Sequence, residues 1–167
     1  MLGSSPPLIE HAADVTTQLQ VNGFDLTVRD VLRLTGAGSL GFRNDERQLS
    51  PSEPIEFDEQ GWAHLPAGCY KIVFGEVVNL PLDVVGIALP RSSLLRMGAS
   101  VETAYWDAGY HGRGESLLVV HNSAGLRLKR GARMVQIAFL RLGAPPERGY
   151  EGQYLGENVP GKATSLG

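Results

Sequence analysis

The stretch "SLLVVHNSAGLRLKRGARMVQIAFLRL", Ser116 to Leu142, decides the class of fold. It reads as three strands, "SLLVVHN", "LRLKRG" and "ARMVQIAFLRL", and the few residues between them leave no room for a crossover helix. Working back toward the N-terminus, "DVVGIAL" (Asp83–Leu89) reads as a buried strand. "GCYKIVFGEVVNLP" (Gly68–Pro81) reads as strand, glycine-marked turn and strand. "GFDLTV" (Gly23–Val28) alternates apolar and polar residues as a first strand, and the polar "DERQLSPSEP" (Asp45–Pro54) is a surface loop. The 21 glycines and 10 prolines are spread along the chain rather than gathered in a linker, which suits many short strands joined by turns. The expectation is an all-β domain, a compact barrel or sandwich rather than βαβ units.

At 167 residues, 43% of them hydrophobic, the chain has the material for one core. A net charge of −3 argues against a protein that coats nucleic acid or lies on a membrane surface. No apolar run has the length of a membrane span, and "MLGSSPP" lacks the basic and hydrophobic parts of a leader, so the expectation is a soluble, cytoplasmic protein. The single cysteine, Cys69, has no disulfide partner and reads as a small buried hydrophobe in a strand.

Chemistry concentrates in "PRSSLLRMGASVETAYWDAGYHGRGE", Pro90 to Glu115. Arg91 and Arg96 offer forked donors for phosphate oxygens, and Ser92 and Ser93 add hydroxyls at the start of a short helix. That helix is expected to take Ser92 or Ser93 as N-cap and to stop at Gly98. Asp107, between Trp106 and Ala108-Gly109-Tyr110, sits in a tight hairpin. It reads either as a turn residue or as a carboxylate that holds and polarises a water. One aspartate is too little for a protein-made magnesium cage, but Mg²⁺ binds readily through substrate phosphates and water. His11, His64, His111 and His121 show no metal-ligand spacing and read as surface or structural. Gln136 stands inside an apolar strand, where an amide needs partners. After Leu142 the chain is rich in glycine and proline and poor in aliphatics. That tail is expected to be disordered or to order only by closing over something, with Tyr150 and Tyr154 as anchors.

Five segments in this order resemble the dUTPase and dCTP deaminase superfamily, closest to its archaeal, deaminase-like dUTPases. They are "NGFDL" (Asn22–Leu26), "PRSSLLR" (Pro90–Arg96), "TAYWDAGYHG" (Thr103–Gly112), "KRGARMVQIAF" (Lys129–Phe139) and "YEGQYLGEN" (Tyr150–Asn158). The resemblance implies a compact distorted β-barrel (a dUTPase-like β-clip) over residues 1–142 with one short helix, and a flexible tail, 143–167, that closes over the active site. It implies a homotrimer with sites at subunit interfaces, and hydrolysis of dUTP to dUMP and pyrophosphate with Mg²⁺ on the triphosphate. Carried over position by position, Asp107 orders the attacking water, while Arg91, Ser92, Ser93, Arg96 and Gln136 face the phosphates. The hairpin of Thr103, Ala104, Tyr105, Trp106 and Tyr110 holds base and deoxyribose, its backbone reading the uracil edge. Tyr154 covers the bound nucleotide.

The sister activity, dCTP deamination, alone or joined to triphosphate cleavage so that dCTP becomes dUMP, uses a glutamate in the strand after the hairpin. Lining up Asn122 with the family asparagine puts Val119 in that place, and valine moves no proton. A different gap placement brings Glu115 toward the pocket instead, although its expected place is the rim or a pair with Arg113. A non-catalytic, nucleotide-binding member of the fold is the third reading.

Overall fold

Along the strand Glu115–Val120 the even residues Ser116, Leu118 and Val120 are buried and the odd ones half-exposed, the period-two pattern of a sheet with one face on a core. The same local logic runs through the chain, for which a computed structural model describes residues 6–160. Its strands are β1 (Ile9–Glu10), β2 (Leu19–Gln20), β3 (Gly23–Leu34), β4 (Ser52–Pro54), β5 (Trp62–Leu65), β6 (Gly68–Phe74) and β7 (Val77–Asn79). They continue with β8 (Val84–Pro90), β9 (Ala99–Glu102), β10 (His111–Gly112), β11 (Glu115–Val120), β12 (Leu126–Lys129) and β13 (Arg133–Arg141). Two short helices interrupt them, α1 (Val15–Gln18) and α2 (Ser92–Arg96).

The main sheet runs β8-β13-β3-β6-β11-β9 and curls into a distorted, nearly closed barrel, so the all-β expectation holds. A three-stranded sheet, β1-β7-β10, and a two-stranded one, β12-β5, accompany it. β3 binds the barrel together. Its first half pairs with β13 and its second half with β6, with a register shift in each ladder where the strand bends. Gly23 to Val28 are all buried, as expected of a strand covered on both faces. The core is built from Phe24, Leu26, Ile72, Phe74, Leu118, Val135 and Ile137, each no more than 1% exposed.

Some expectations need correcting. Cys69 is exposed, because it lies at the start of β6 before that strand enters the core at Tyr70. The segment read as a polar loop contains a single 3-10 turn, Asn44–Glu46, and β4. The chain ahead of β2 supplies α1, capped by the Asp14 carboxylate, which accepts from Thr16 and Thr17 amides. Its last residue, Gln18, is buried and donates to Glu76 at 2.6 Å and to the Asp25 carbonyl at 2.9 Å. Among the described residues no helix is long and apolar enough to cross a membrane.

Candidate active site

The arginine–serine segment lies where β8 turns into α2. Arg91 is the N-cap, in extended conformation (φ −66°, ψ 142°), and caps through its carbonyl rather than its side chain. The serines therefore stand one step further in than expected, both exposed in the first turn. Leu94 buries the helix's inner face, and Gly98, at φ +77°, ends it in the left-handed conformation that glycine adopts without strain. With its side chain released from capping, Arg91 pairs Nε to Asp25 Oδ2 at 3.1 Å. Arg133 pairs with the same oxygen, also at 3.1 Å, and donates to the Thr17 carbonyl at 2.9 Å. Asp25 is buried, and its other oxygen, Oδ1, has no hydrogen-bond partner. Gln136 sits directly opposite Asp25 in the β3–β13 register, so the two side chains share a face. Two guanidinium groups on one carboxylate leave a positive excess beside the Ser92 and Ser93 hydroxyls. Arg96, exposed, adds a donor and contacts Ser92 Oγ at 3.3 Å. Such a cluster suits a polyanion.

The hairpin lies against β8. Trp106 exchanges both backbone hydrogen bonds with Gly86, at 2.9 and 3.1 Å. A side chain at Gly86 would meet Trp106 Cβ at 3.1 Å and Ile137 Cδ1 at 2.9 Å, so glycine suits this close approach of the hairpin. Thr103 donates from its hydroxyl to the Ala88 carbonyl at 2.9 Å. Trp106 packs on Phe74, with ring centroids 6.1 Å apart, and Asp107 follows it, exposed. A cavity of about 540 Å³ opens here, lined from the hairpin by Ala104, Tyr105, Trp106, Asp107 and Tyr110, and from the tail by Tyr150, Tyr154 and Glu157. Lys71 of β6 and Glu115, Ser116 and Leu117 of β11 line it as well. Glu115 pairs with Lys71 at 3.0 Å and accepts from Asn158 Nδ2 at 3.2 Å rather than pairing with Arg113. Val119 is not in the lining, nor are Thr103, Arg91, Ser92, Ser93, Arg96 and Gln136. The predicted site residues thus fall into two groups, those that line this cavity and those that do not.

The tail, poor in aliphatics, holds by other means. Tyr150 N donates to Ala108 O at 2.8 Å, Gly156 N to His111 O at 2.6 Å, and Arg113 N to Glu157 O at 3.0 Å. Tyr150 meets Tyr110 edge-on, with centroids 5.8 Å apart, and the Arg47 guanidinium lies 5.7 Å from the Tyr154 ring. The composition pointed to a tail without intrinsic hold. Backbone pairing to the hairpin and to β10 gives residues 149–158 one. Tyr110 OH donates to Glu157 Oε1 at 2.8 Å. Burial raises the Glu157 carboxyl to about 7, assisted by the Glu115 charge and opposed by Tyr110 and Lys71. The Tyr110 hydroxyl is raised too, by burial first and then by the facing Glu157. Because the docked value of Glu157 lies above the ordinary 4.5, docking is strongest in acid and weakens as pH rises from about 4.5 through about 7. Hydrogen exchange across residues 149–158 is expected to speed up between about pH 5 and pH 8 beyond its intrinsic trend. Glu157→Gln is expected to flatten that change.

Comparison with known proteins gives these features a family. A model of the family described as dCTP deaminase-like matches residues 8–142. A Methanosarcina mazei protein named "Probable deoxyuridine 5'-triphosphate nucleotidohydrolase" is 49% identical over 159 residues, covering 95% of this chain and 93% of its own. An Archaeoglobus fulgidus protein of the same name is 50% identical over 152 residues, covering 91% of this chain and 89% of its own. Among solved structures, the 2'-deoxycytidine 5'-triphosphate deaminase of Agrobacterium tumefaciens superposes with a TM-score of 0.59 at 24% identity. That match covers 81% of this chain but 44% of the deaminase, so this chain spans less than half its length and the likeness is one of fold. With the family model running from β1 through β13, and archaeal relatives identical at about half their positions, this chain belongs to the dCTP deaminase-like family.

Proposed function

We propose that the protein hydrolyses dUTP to dUMP and pyrophosphate in the cytoplasm, with Asp107 directing the attacking water. The observation that carries this reading is Asp107 itself, an exposed carboxylate at a cavity walled by Trp106 and Tyr110, in a chain about half identical to proteins named for that hydrolysis. The base and deoxyribose lie against Ala104, Tyr105, Trp106 and Tyr110, and the α-phosphorus faces Asp107. The carboxylate accepts a proton from water as the water oxygen bonds to that phosphorus. The bond from phosphorus to the bridging oxygen breaks, and pyrophosphate leaves. Arg91, Ser92, Ser93, Arg96 and Gln136 take the triphosphate oxygens. Mg²⁺, when bound with the substrate, neutralises charge along the triphosphate. The unpartnered Asp25 Oδ1 fits as an acceptor for a water of that ion's shell.

In this reading the working site joins two subunits of a homotrimer, which is supported by the phosphate-type residues not lining the cavity of their own chain. Leu89, Leu95 and Met97, exposed around the arginine–serine turn, suit a surface that such an assembly covers. Residues 143–167 then act as a closing segment on the 1–142 domain, with Tyr154 over the nucleotide. The last seven of these lie outside the described residues.

The reading is tested by incubating the protein with Mg²⁺ and either dUTP or dCTP and measuring pyrophosphate and ammonia separately. Pyrophosphate from dUTP supports it. Ammonia from dCTP supports deamination instead, the reading favoured by Glu115 in the cavity wall. Neither product supports a non-catalytic binding protein. The shared site has its own test. Asp107→Asn and Arg96→Ala chains, each inactive, are expected to regain activity when unfolded and refolded together, because mixed trimers contain a site with both halves intact. No gain over the separate variants rejects the arrangement.

A further inference from the structure

Residues 39–48 form a short arm beside the cavity. Ser39 and Gln48 exchange both backbone hydrogen bonds, at 2.8 and 2.9 Å, and close the arm at its base. Within it, Arg43 N donates to Glu46 Oε2 at 2.8 Å, and the Arg43 side chain pairs with Asp45 at 3.2 Å. A side chain at Gly41 would come within 2.6 Å of Glu46 Cβ, so glycine suits the way the arm folds on itself. The arm is thus ordered by its own polar groups, yet it holds two large apolar side chains in water, Leu40 at 83% and Phe42 at 102% exposure. Scattered exposed apolar residues are ordinary; a leucine and a phenylalanine two positions apart on an ordered projection suit a contact that one chain lacks. Leu49 and Ser50, which follow the arm directly, line the cavity. Arg47 donates to Gln153 Oε1 at 2.6 Å and lies against the Tyr154 ring, so the arm touches the tail as well. It stands at the cavity's rim.

Charge says what covers it. Among the described residues lining the cavity, Asp107, Glu115 and Glu157 stand against one basic side chain, Lys71. The arginine–serine turn is the reverse, with Arg91, Arg96 and Arg133 against Asp25. Complementary charge favours the turn of a second copy at the mouth of this cavity. That turn carries its own exposed apolar residues, Leu89 at the end of β8 and Leu95 and Met97 on and just after α2. A turn brought to the cavity is brought to the arm at its rim. Resting on the two-subunit reading above, we propose that the arm of one subunit clasps the arginine–serine turn of the next, with Leu40 and Phe42 packed on Leu89, Leu95 and Met97. Arm and turn are different surfaces, so each subunit gives one contact and receives one, and a ring of three closes with every arm used. Phe42 is the anchor, and the contact holds the neighbour's arginines beside the cavity.

The contact is tested by cross-linking. The exposed Cys69 is first replaced, as Cys69→Ser, and Phe42→Cys and Leu95→Cys are introduced separately and together. With a short bis-maleimide, the chain carrying both cysteines is expected to give covalent dimers and trimers on a denaturing gel, and either cysteine alone is expected to give none. Links from Phe42→Cys alone mean that arm meets arm, which overturns the inference. A second measurement uses no cysteine. Phe42→Ser lies on an exposed arm and leaves the core intact, and it is expected to raise the protein concentration at half-assembly in moderate urea, read by sedimentation, by about tenfold or more. Assembly of Phe42→Ser at the parental concentration overturns the inference. If the protein sediments as a trimer but the double-cysteine chain stays unlinked, the clasp falls and the two-subunit site stands. If the parent hydrolyses dUTP as a monomer, both fall. If the chains link as expected while the parent does not hydrolyse dUTP, the clasp stands and the proposed function falls.

Discussion

Asp107→Asn is expected to lower kcat for dUTP by about 10³- to 10⁴-fold while leaving KM and binding of a non-hydrolysable analogue nearly unchanged. The magnitude follows from loss of the group that takes the proton from water, together with the water's positioning. The substitution is close to isosteric, and the turn is held by backbone, Tyr110 N donating to Asp107 O at 3.0 Å, so the hairpin keeps its shape. Trp106 and Tyr110 remain buried in the core, and the cavity is preserved. The measurement is steady-state pyrophosphate release with Mg²⁺ beside analogue binding by calorimetry. A variant turning over at the parental rate removes Asp107 from the mechanism, and a variant that fails to bind assigns it to binding instead.

The second large effect is on stability. Glu76 is fully buried and accepts from Gln18 Nε2 at 2.6 Å, Thr27 N at 2.8 Å and Thr27 Oγ1 at 2.7 Å. It ties α1 and the middle of β3 to the turn between β6 and β7. Glu76→Ala opens a void and leaves these donors facing apolar surroundings, at about 1–3 kcal/mol for each group orphaned. The expected loss is about 3–5 kcal/mol, or roughly 10 °C in Tm for a domain of this size. Glu76→Gln is expected to cost less but not to be neutral, because its amide nitrogen turns a donor toward a donor. Urea unfolding at constant m-value measures both. A loss below about 1 kcal/mol for Glu76→Ala shows that the network reorganises and is not what fastens α1.

Much of the local structure was legible because strand signals are local. The apolar run of β11, the breaks at Gly75 and Gly131, and the helix stop at Gly98 are written in adjacent residues. Which residue binds which across the chain was not. Arg91 and Ser92 announced an anion site, but the buried partner of Arg91 is Asp25 on β3, and nothing near either residue predicts the pair. Glu115 was expected on the rim of the pocket or paired with Arg113, its near neighbour. It pairs instead with Lys71 because antiparallel register makes them diagonal, while Arg113 turns to the Gly75 and Asn158 carbonyls. Composition left the tail two outcomes, disorder or closure over something with Tyr150 and Tyr154 as anchors, and the backbone hydrogen bonds that select closure leave no trace in side-chain statistics.

By itself the order of residues determined the all-β class, the positions of most strands and the short stretch that holds both an arginine–serine turn and a lone aspartate. Side-chain alternation and turn chemistry act over a few neighbouring residues. Tertiary structure alone decided that the aspartate lines the cavity and the arginines do not, that Cys69 faces solvent, and that a lysine and a glutamate line the pocket. Those outcomes depend on strand register and barrel closure, which bring distant residues together and are set by the packing of the whole core.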